Sequence, residues 1–424
     1  MSGVPRADRA DAVPTGAASI WRNPNLVILV AGQWVSQVGN TLFGMAMYWF
    51  ILQRTGSRAD LGFAGAVVSF AGLAGLAAGA FVDRWDRRRT MVWTDAVRAV
   101  LSLVLVGVAL AHRLDVAAVV GVAFSMALLA TLFSPAQAAL VPAVVPAERL
   151  PEANALNQGA SAAAQLAGSA LGGVVLGALG PVILFGFNGL SFVASVVSLL
   201  LLRLPEAAHA GARAAGGGVR ALWREVVAGQ RAIWQSPFLR RTTSLSLVVN
   251  FAMAPLNYLD VAWVRQVLHM GAVVYGLLGI AILAGMIGGS VAAARVQRLF
   301  AFRAIALGTL GGAGMSIVAF ALVPAVLPDL GFLIVFGALV GIANTAATTV
   351  LQAATPDHLR GRVFGTLVAL ATLATPLGAL LTGLAAAALP LPVVFASAGI
   401  LTALASLLGV GLPDEVRLAV EETA

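Results

Sequence analysis

The sequence predicts an all-α integral membrane fold of twelve transmembrane helices in two pseudo-symmetric six-helix halves. Three observations lead there. Sixty percent of the 424 residues are apolar and only ten percent are charged, a balance that could not be hidden beneath a water-soluble surface. Apolar runs of the roughly 20 residues that a helix needs to cross about 30 Å of hydrocarbon recur twelve times between Pro, Gly and Arg punctuation. The arginines, finally, fall almost wholly on one side of those runs.

Residues 1–24 are polar, with Arg6, Asp8, Arg9 and Asp11 and no apolar centre, so they read as a cytosolic tail rather than a cleavable signal. The first half, 25–203, holds spans near 25–53, 60–83, 89–112, 115–141, 153–179 and 181–203. The longest polar stretch follows at 204–241 and opens with the flexible run 214–218. Within it Val219, Leu222, Trp223, Val226, Val227, Ile233 and Trp234 recur at helical spacing. Two readings stand for this linker: an amphipathic helix on the inner leaflet, or a solvated tether. The second half, 242–412, holds spans near 242–267, 272–297, 301–324, 328–354, 363–389 and 391–412, and 413–424 form a second cytosolic tail.

All 26 basic residues are arginine. Placing the N-terminus inside puts 21 of them on the cytosolic side and four (Arg54, Arg58, Arg113, Arg265) outside, with Arg98 within a span. An even number of crossings keeps both termini in the cytosol, and the charge bias agrees at every loop. A net charge of +8 on one soluble face would suit nucleic acid, but these charges sit in short loops, so no nucleic-acid partner is expected. Without Cys there is no thiolate site, and the four His residues are too scattered for a metal site. Without Lys there is no phosphate-binding loop of the ATPase type. No cofactor is implied. A membrane enzyme would need an acid/base cluster near an interface, and no span carries one. A receptor without transport activity is the remaining rival of a different class.

The halves resemble each other. Gly168-Ser-Ala-Leu-Gly172-Gly173-Val-Val-Leu-Gly177 in span five matches Ala374-Thr-Pro-Leu-Gly378-Ala379-Leu-Leu-Thr-Gly383 in span eleven, and each follows a short polar elbow, at 146–154 and 356–364. Internal repeats about a central site characterise secondary transporters. Glycines Gly168, Gly172 and Gly173 are spaced for close helix packing.

The stretch Gly79-Ala-Phe-Val-Asp83-Arg84-Trp-Asp86-Arg87-Arg88-Arg89 lies between spans two and three. Gly79 and Asp83 share a helix face, and a helix starting after Arg360-Gly361-Arg362 would offer Asp83 its positive dipole end. A Gly followed four residues later by Asp-Arg and a basic cluster resembles the signature of the major facilitator superfamily. That resemblance implies a two-half transporter whose gate residues here are Gly79, Asp83, Arg84, Asp86, Arg87, Arg360 and Arg362. The alternative reading of Arg87 to Arg89 is a plain topology signal. Further motifs are Gly32-Gln33-Trp-Val-Ser36-Gln37-Val-Gly39-Asn40, Thr55-Gly56-Ser57 and Leu359-Arg360-Gly361-Arg362-Val363. They resemble the bacterial branch of macrolide-efflux proteins and enterobactin exporters. What this implies is a monomer in the bacterial inner membrane that exports small amphiphilic molecules by alternating access, in exchange for protons. A siderophore or lysolipid exporter is the runner-up.

Gln33, Gln37 and Asn40 form an i, i+4, i+7 stripe that faces the bundle interior, either lining a cavity or bonding between helices. Members of the branch often carry Asp where Asn40 stands, and an amide cannot exchange a proton near neutral pH. Asp95 and Arg98 share a face of span three and read as a gate ion pair or as a proton site. Asp260 follows Pro255 in span seven, where a broken helix could line the cavity with Asn250 and Asn257, and it is the other candidate proton site. Pairing with Arg265 is the alternative.

Overall fold

In the computed structural model the described residues are 23–82, 85–203, 230–231, 233–235, 237–355 and 357–411, without the side chains of 76–82, 357–362 and 411. Their regular structure is entirely helical: α1 Pro24–Thr55, α2 Arg58–Val82, α3 Arg87–Leu110, α4 Val116–Val144, α5 Leu150–Leu179 and α6 Pro181–Leu201 make the first half. The second comprises a segmented α7 (Pro237–Ala252, Ala254–Tyr258, Asp260–Ala262 and a π-turn Trp263–Val267), then α8 Ala272–Leu299, α9 Phe302–Leu322, α10 Val326–Ala354, α11 Asp357–Ala388 and α12 Leu391–Ser406. Ten of these segments, counting the 3-10 turns Ala147–Arg149 before α5 and Leu407–Gly411 after α12, are, among the described residues, individually long and apolar enough to cross a membrane. The other two crossings are α2, apolar through Val82, and α7, whose pieces are each too short to qualify alone.

Helix ends are written in the sequence. Asn23 caps α1 by accepting the N–H groups of Asn25 and Leu26, with Pro24 following, and α1 stops where Gly56 adopts φ 66°. Asp86 caps α3 through the Arg89 N–H at 2.7 Å, and Asp115 caps α4 through Ala118. Pro255 has no N–H to give the preceding turn, and α7 breaks around Met253 just before it. The seventh crossing starts at Pro237, earlier than the apolar run at 242. Of the linker's apolar positions, 219–227 lie outside the described residues, Trp234 is exposed, and Ile233 is buried with Leu239, Leu351 and Val363.

Large apolar side chains stand outward around the bundle, as at Leu110, Val291 and Leu327. In water that surface would be untenable, and in hydrocarbon it costs nothing. Inside, an aromatic cluster anchors each half: Phe185 against Phe43 and Phe50, and Phe395 against Trp263 and Phe320.

The halves meet along two seams, α2 on α11 and α5 on α8. These are equivalent pairs under the internal repeat. Gly172 lies against Leu42 and Met45 of α1, and its repeat mate Gly378 against Phe251 and Ala254 of α7. A Cβ on Gly173 would sit 3.1 Å from the Gly276 Cα, and one on Gly62 would sit 2.4 Å from the Gly383 Cα. All four glycines lie toward the end of the bundle that carries residues 56–57, 180, 268–271 and 389–390, here named the loop-1 end. There backbone meets backbone, and only glycine allows it.

Substituting Gly62 by Ala should therefore force the α2–α11 seam apart and lower thermal stability in detergent by about 1–3 kcal/mol. Gly107, beside which a Cβ meets nothing within 4 Å, is the control: Gly107→Ala should be neutral or stabilising by up to about 1 kcal/mol.

Candidate functional site

Between α1, α2, α3 and α4 lies a cavity of about 370 Å³. Gln33, Gln37 and Asn40 project into it from α1, joined by Ser134 and Gln137 of α4, Arg98 of α3 and apolar wall from Phe43, Met47 and Met126. The α1 stripe sits there because glycine and serine hold the opposite face of that helix against α6: a Cβ on Gly32 would overlap Ser198, and one on Gly39 would overlap Ser191. The polar i, i+4, i+7 face is left to the interior.

Arg98 lines the wall as half of a buried pair. Its Nη1 donates to Asp95 Oδ1 at 3.1 Å, Ser195 Oγ donates to Asp95 Oδ2 at 2.6 Å, and Gln33 Nε2 donates to Ser195 Oγ at 3.3 Å. Asp95 is fully buried. The guanidinium lies over the rings of Phe133 and Phe192, 5.3 and 5.4 Å from their centroids. A chain of hydrogen bonds thus runs from the cavity surface at Gln33 to a buried carboxylate.

The loop-1 end of the seam is shut. Arg58, at the start of α2, donates its Nε–H to Gln266 Oε1 at 2.6 Å and its Nη1 to the carbonyls of Ala386 and Leu389 at the end of α11, both at 3.4 Å. Gln266 Nε2 returns a bond to the Gly56 carbonyl. Those carbonyls are the negative end of the α11 dipole, so a cation is favoured there. Beneath this clasp Tyr258 shares a 3.1 Å hydrogen bond with Ser69 across the seam and meets Tyr48 edge to face, while Trp49 stacks on Tyr275.

The remaining sequence candidates distribute as follows. Asp260 accepts the Val261 N–H at 2.7 Å and lies in electrostatic range of Tyr48 and Tyr275, but it forms no ion pair among the described residues. The alternative of an Asp260–Arg265 pair is not realised, because in the broken α7 the Arg265 guanidinium lies 5.0 Å from the Trp49 ring centroid instead. Asn250 and Asn257 are exposed, and Asn250 donates to the Ser246 carbonyl of its own helix. Asp86 is the α3 cap, and Arg87 donates to the Ala139 carbonyl of α4 at 2.9 Å, both within the first half. Asp83 and Arg84 lie outside the described residues, as do the side chains of Arg360 and Arg362 and the surroundings of Gly79. Gly168 packs on Thr41 of α1.

Sequence reasoning missed Asp329. It is completely buried in the first turn of α10, where Oδ2 accepts the Trp263 indole N–H at 2.8 Å and Oδ1 has no partner among the described residues. An acid after Pro328 reads as an interfacial residue, and only the fold brings it beneath a tryptophan 66 positions away.

Two six-helix halves that meet along a seam closed at one end, with a polar cavity in the first half beside it, define a membrane transporter rather than an enzyme. The chain belongs to the Major Facilitator Superfamily, whose family model matches residues 29–367. It is 29% identical over 420 residues to the multidrug efflux pump Tap of Mycolicibacterium fortuitum, covering 92% of this chain and 96% of that one. It is 24% identical to macrolide efflux protein A of Streptococcus pyogenes, over 84% and 87% of the two chains. Among solved structures, a bacterial homologue of the iron transporter ferroportin in its inward-facing state superposes with a TM-score of 0.70 at 16% identity, covering 93% of this chain and all of the other. That likeness concerns the fold.

Removing one partner of a buried pair strands the other charge. Asp95→Asn alone should destabilise the protein by about 3–5 kcal/mol, and Asp95→Asn with Arg98→Gln should recover most of that loss. A double-mutant cycle from unfolding in detergent measures it.

Proposed function

We propose that this transporter exports small amphiphilic molecules from the cytosol of a bacterium, working in the inner membrane as a monomer by alternating access and exchanging substrate for protons. The observation that carries the reading is the closed seam at the loop-1 end beside an amide-lined cavity. The arginine distribution assigns that end to the outside. In this reading the cavity loads from the opposite, cytosolic side. The names of the relatives, efflux pumps for several drugs and for macrolides, support the direction and the chemical class of cargo.

In this reading α2 and α11 carry complementary charge at both ends. Arg58 meets the carbonyl end of α11 outside, and Asp83 is assigned to the amide end of α11 inside once the halves rock over. Each clasp holds one state, so the two alternate. Asp95 and Asp260 are the candidate proton carriers, since both are ionisable and stand beside the cavity wall or the closed seam. A proton moving through 100 mV supplies about 2.3 kcal/mol, enough for roughly a fifty-fold gradient without ATP.

The test is accumulation of a compound panel that includes macrolides in cells with and without the gene, followed by flux in proteoliposomes. Expected are lower accumulation with the gene and substrate-stimulated proton movement. Equal accumulation across the panel contradicts export, and flux without proton movement contradicts the coupling. Arg58→Ala should shift the equilibrium toward the outward-open state by about tenfold, or ~1.4 kcal/mol, and slow export. The exposed outer residue Arg113, changed to Ala, should leave export unaltered.

A further inference from the structure

The cavity wall contains amides, hydroxyls and one charged residue. That residue is a cation. Among the lining residues none is acidic, and Arg98 alone carries charge. Asp260 is not among the wall residues. The Asp95–Arg98 pair is therefore oriented. Its negative member is fully buried with Ser195 Oγ on one carboxylate oxygen, and its positive member borders the cavity.

The pairing leaves Arg98 under-used. A guanidinium carries five N–H donors, and a carboxylate at its side usually takes two of them in a fork. Here Nη1 alone reaches Asp95, because the second carboxylate oxygen is held by Ser195. Arg98 Nε is buried with no partner among the described residues. Phe133 and Phe192 flank the guanidinium, which fixes it and keeps water from it. Such a fixed, partly dry donor set binds an oxygen acceptor more strongly than the same group in water.

We infer that Arg98 is the specificity-determining residue of the cavity, binding an oxyanion such as a carboxylate on an amphiphilic substrate whose apolar part lies along Phe43, Met47 and Met126. The inference deepens the proposed export function by naming the charge class of its cargo. Anionic amphiphiles bind best, neutral ones bind through the amides, and permanent cations are disfavoured by the positive end of the pair. Gln33, Gln37 and Asn40 then orient the remaining polar groups of any cargo.

The test is fluorescence titration of the full-length protein in lipid nanodiscs at neutral pH, with empty discs subtracted. Three probes share one skeleton: dansylaminoundecanoate, its methyl ester, and the analogue ending in trimethylammonium. The wild type should bind the carboxylate at least about tenfold tighter than the ester and the ammonium most weakly. Arg98→Lys keeps the charge without the planar fork and should reduce that preference to a few-fold. Asp95→Asn with Arg98→Gln, which leaves no stranded charge, should bind the ester within about threefold of wild type and lose the preference.

A wild type that binds the carboxylate no tighter than the ester, or that binds none of the three, overturns the inference whether or not any variant folds. So does a double variant that retains both ester binding and the carboxylate preference. Binding in nanodiscs requires no transport. A preserved preference beside unchanged accumulation in cells would therefore refute export while leaving the role of Arg98 intact.

Discussion

In the hydrocarbon core nothing outside the protein can donate or accept a hydrogen bond, and that restriction shapes everything else in this molecule. It confines the chain to helices, whose backbone groups satisfy one another. It also means that every departure from a plain apolar helix must find its partner within the bundle. The buried Asp95 finds Arg98 and Ser195. The broken α7 is held by the Trp263 indole on Asp329 and by stacking of the same ring on Phe320. Arg88, near the start of α3, donates to the last carbonyls of α6, at Leu199 and Leu200.

Lipid also removes the hydrophobic incentive for helices to associate, so contact has to come from close packing. The glycines provide it where the two halves must touch, and they do so with the symmetry of the repeat. Gly62 on Gly383 and Gly173 on Gly276 are equivalent seams at one end of the molecule. Along α2 the Arg58 clasp lies on the loop-1 side of the Gly62 contact and the tyrosine layer at Tyr48 and Tyr258 on its inner side, at Gly65 and Ser69. A seam of backbone and small residues can close tightly and still separate without leaving large side chains unpacked, which suits a joint that opens and shuts.

Much of this was legible in the sequence because it is local or periodic. Apolar run length gives the crossings, the i, i+3 spacing of Asp95 and Arg98 gives their pairing, and the stripe Gln33, Gln37, Asn40 gives the polar face of α1. The match between 168–177 and 374–383 gives the paired packing on α1 and α7. What escaped notice depends on contacts between distant segments. Ser195 on Asp95 spans 100 positions, Arg58 to Ala386 spans 328, and Trp263 to Asp329 spans 66. Arg58 alone looks like a topology marker and Asp329 like an interfacial acid. The Asp260–Arg265 pairing failed because nearness in sequence is not a shared face: Asp260 accepts the Val261 N–H, and Arg265, in the π-turn that follows, lies over the Trp49 ring.

Twelve crossings with an unbroken alternation of sides underlie every contact described above, and the absence of cysteine from the sequence makes that alternation directly measurable. Single cysteines at Ser57, Arg113, His269 and Ala325 in intact cells should react with a membrane-impermeant maleimide, whereas those at Arg87, Ala147, Phe300 and Ala354 should react only after permeabilisation. Labelling of Arg87→Cys from outside, or a reversal of sides partway along the chain, would contradict it.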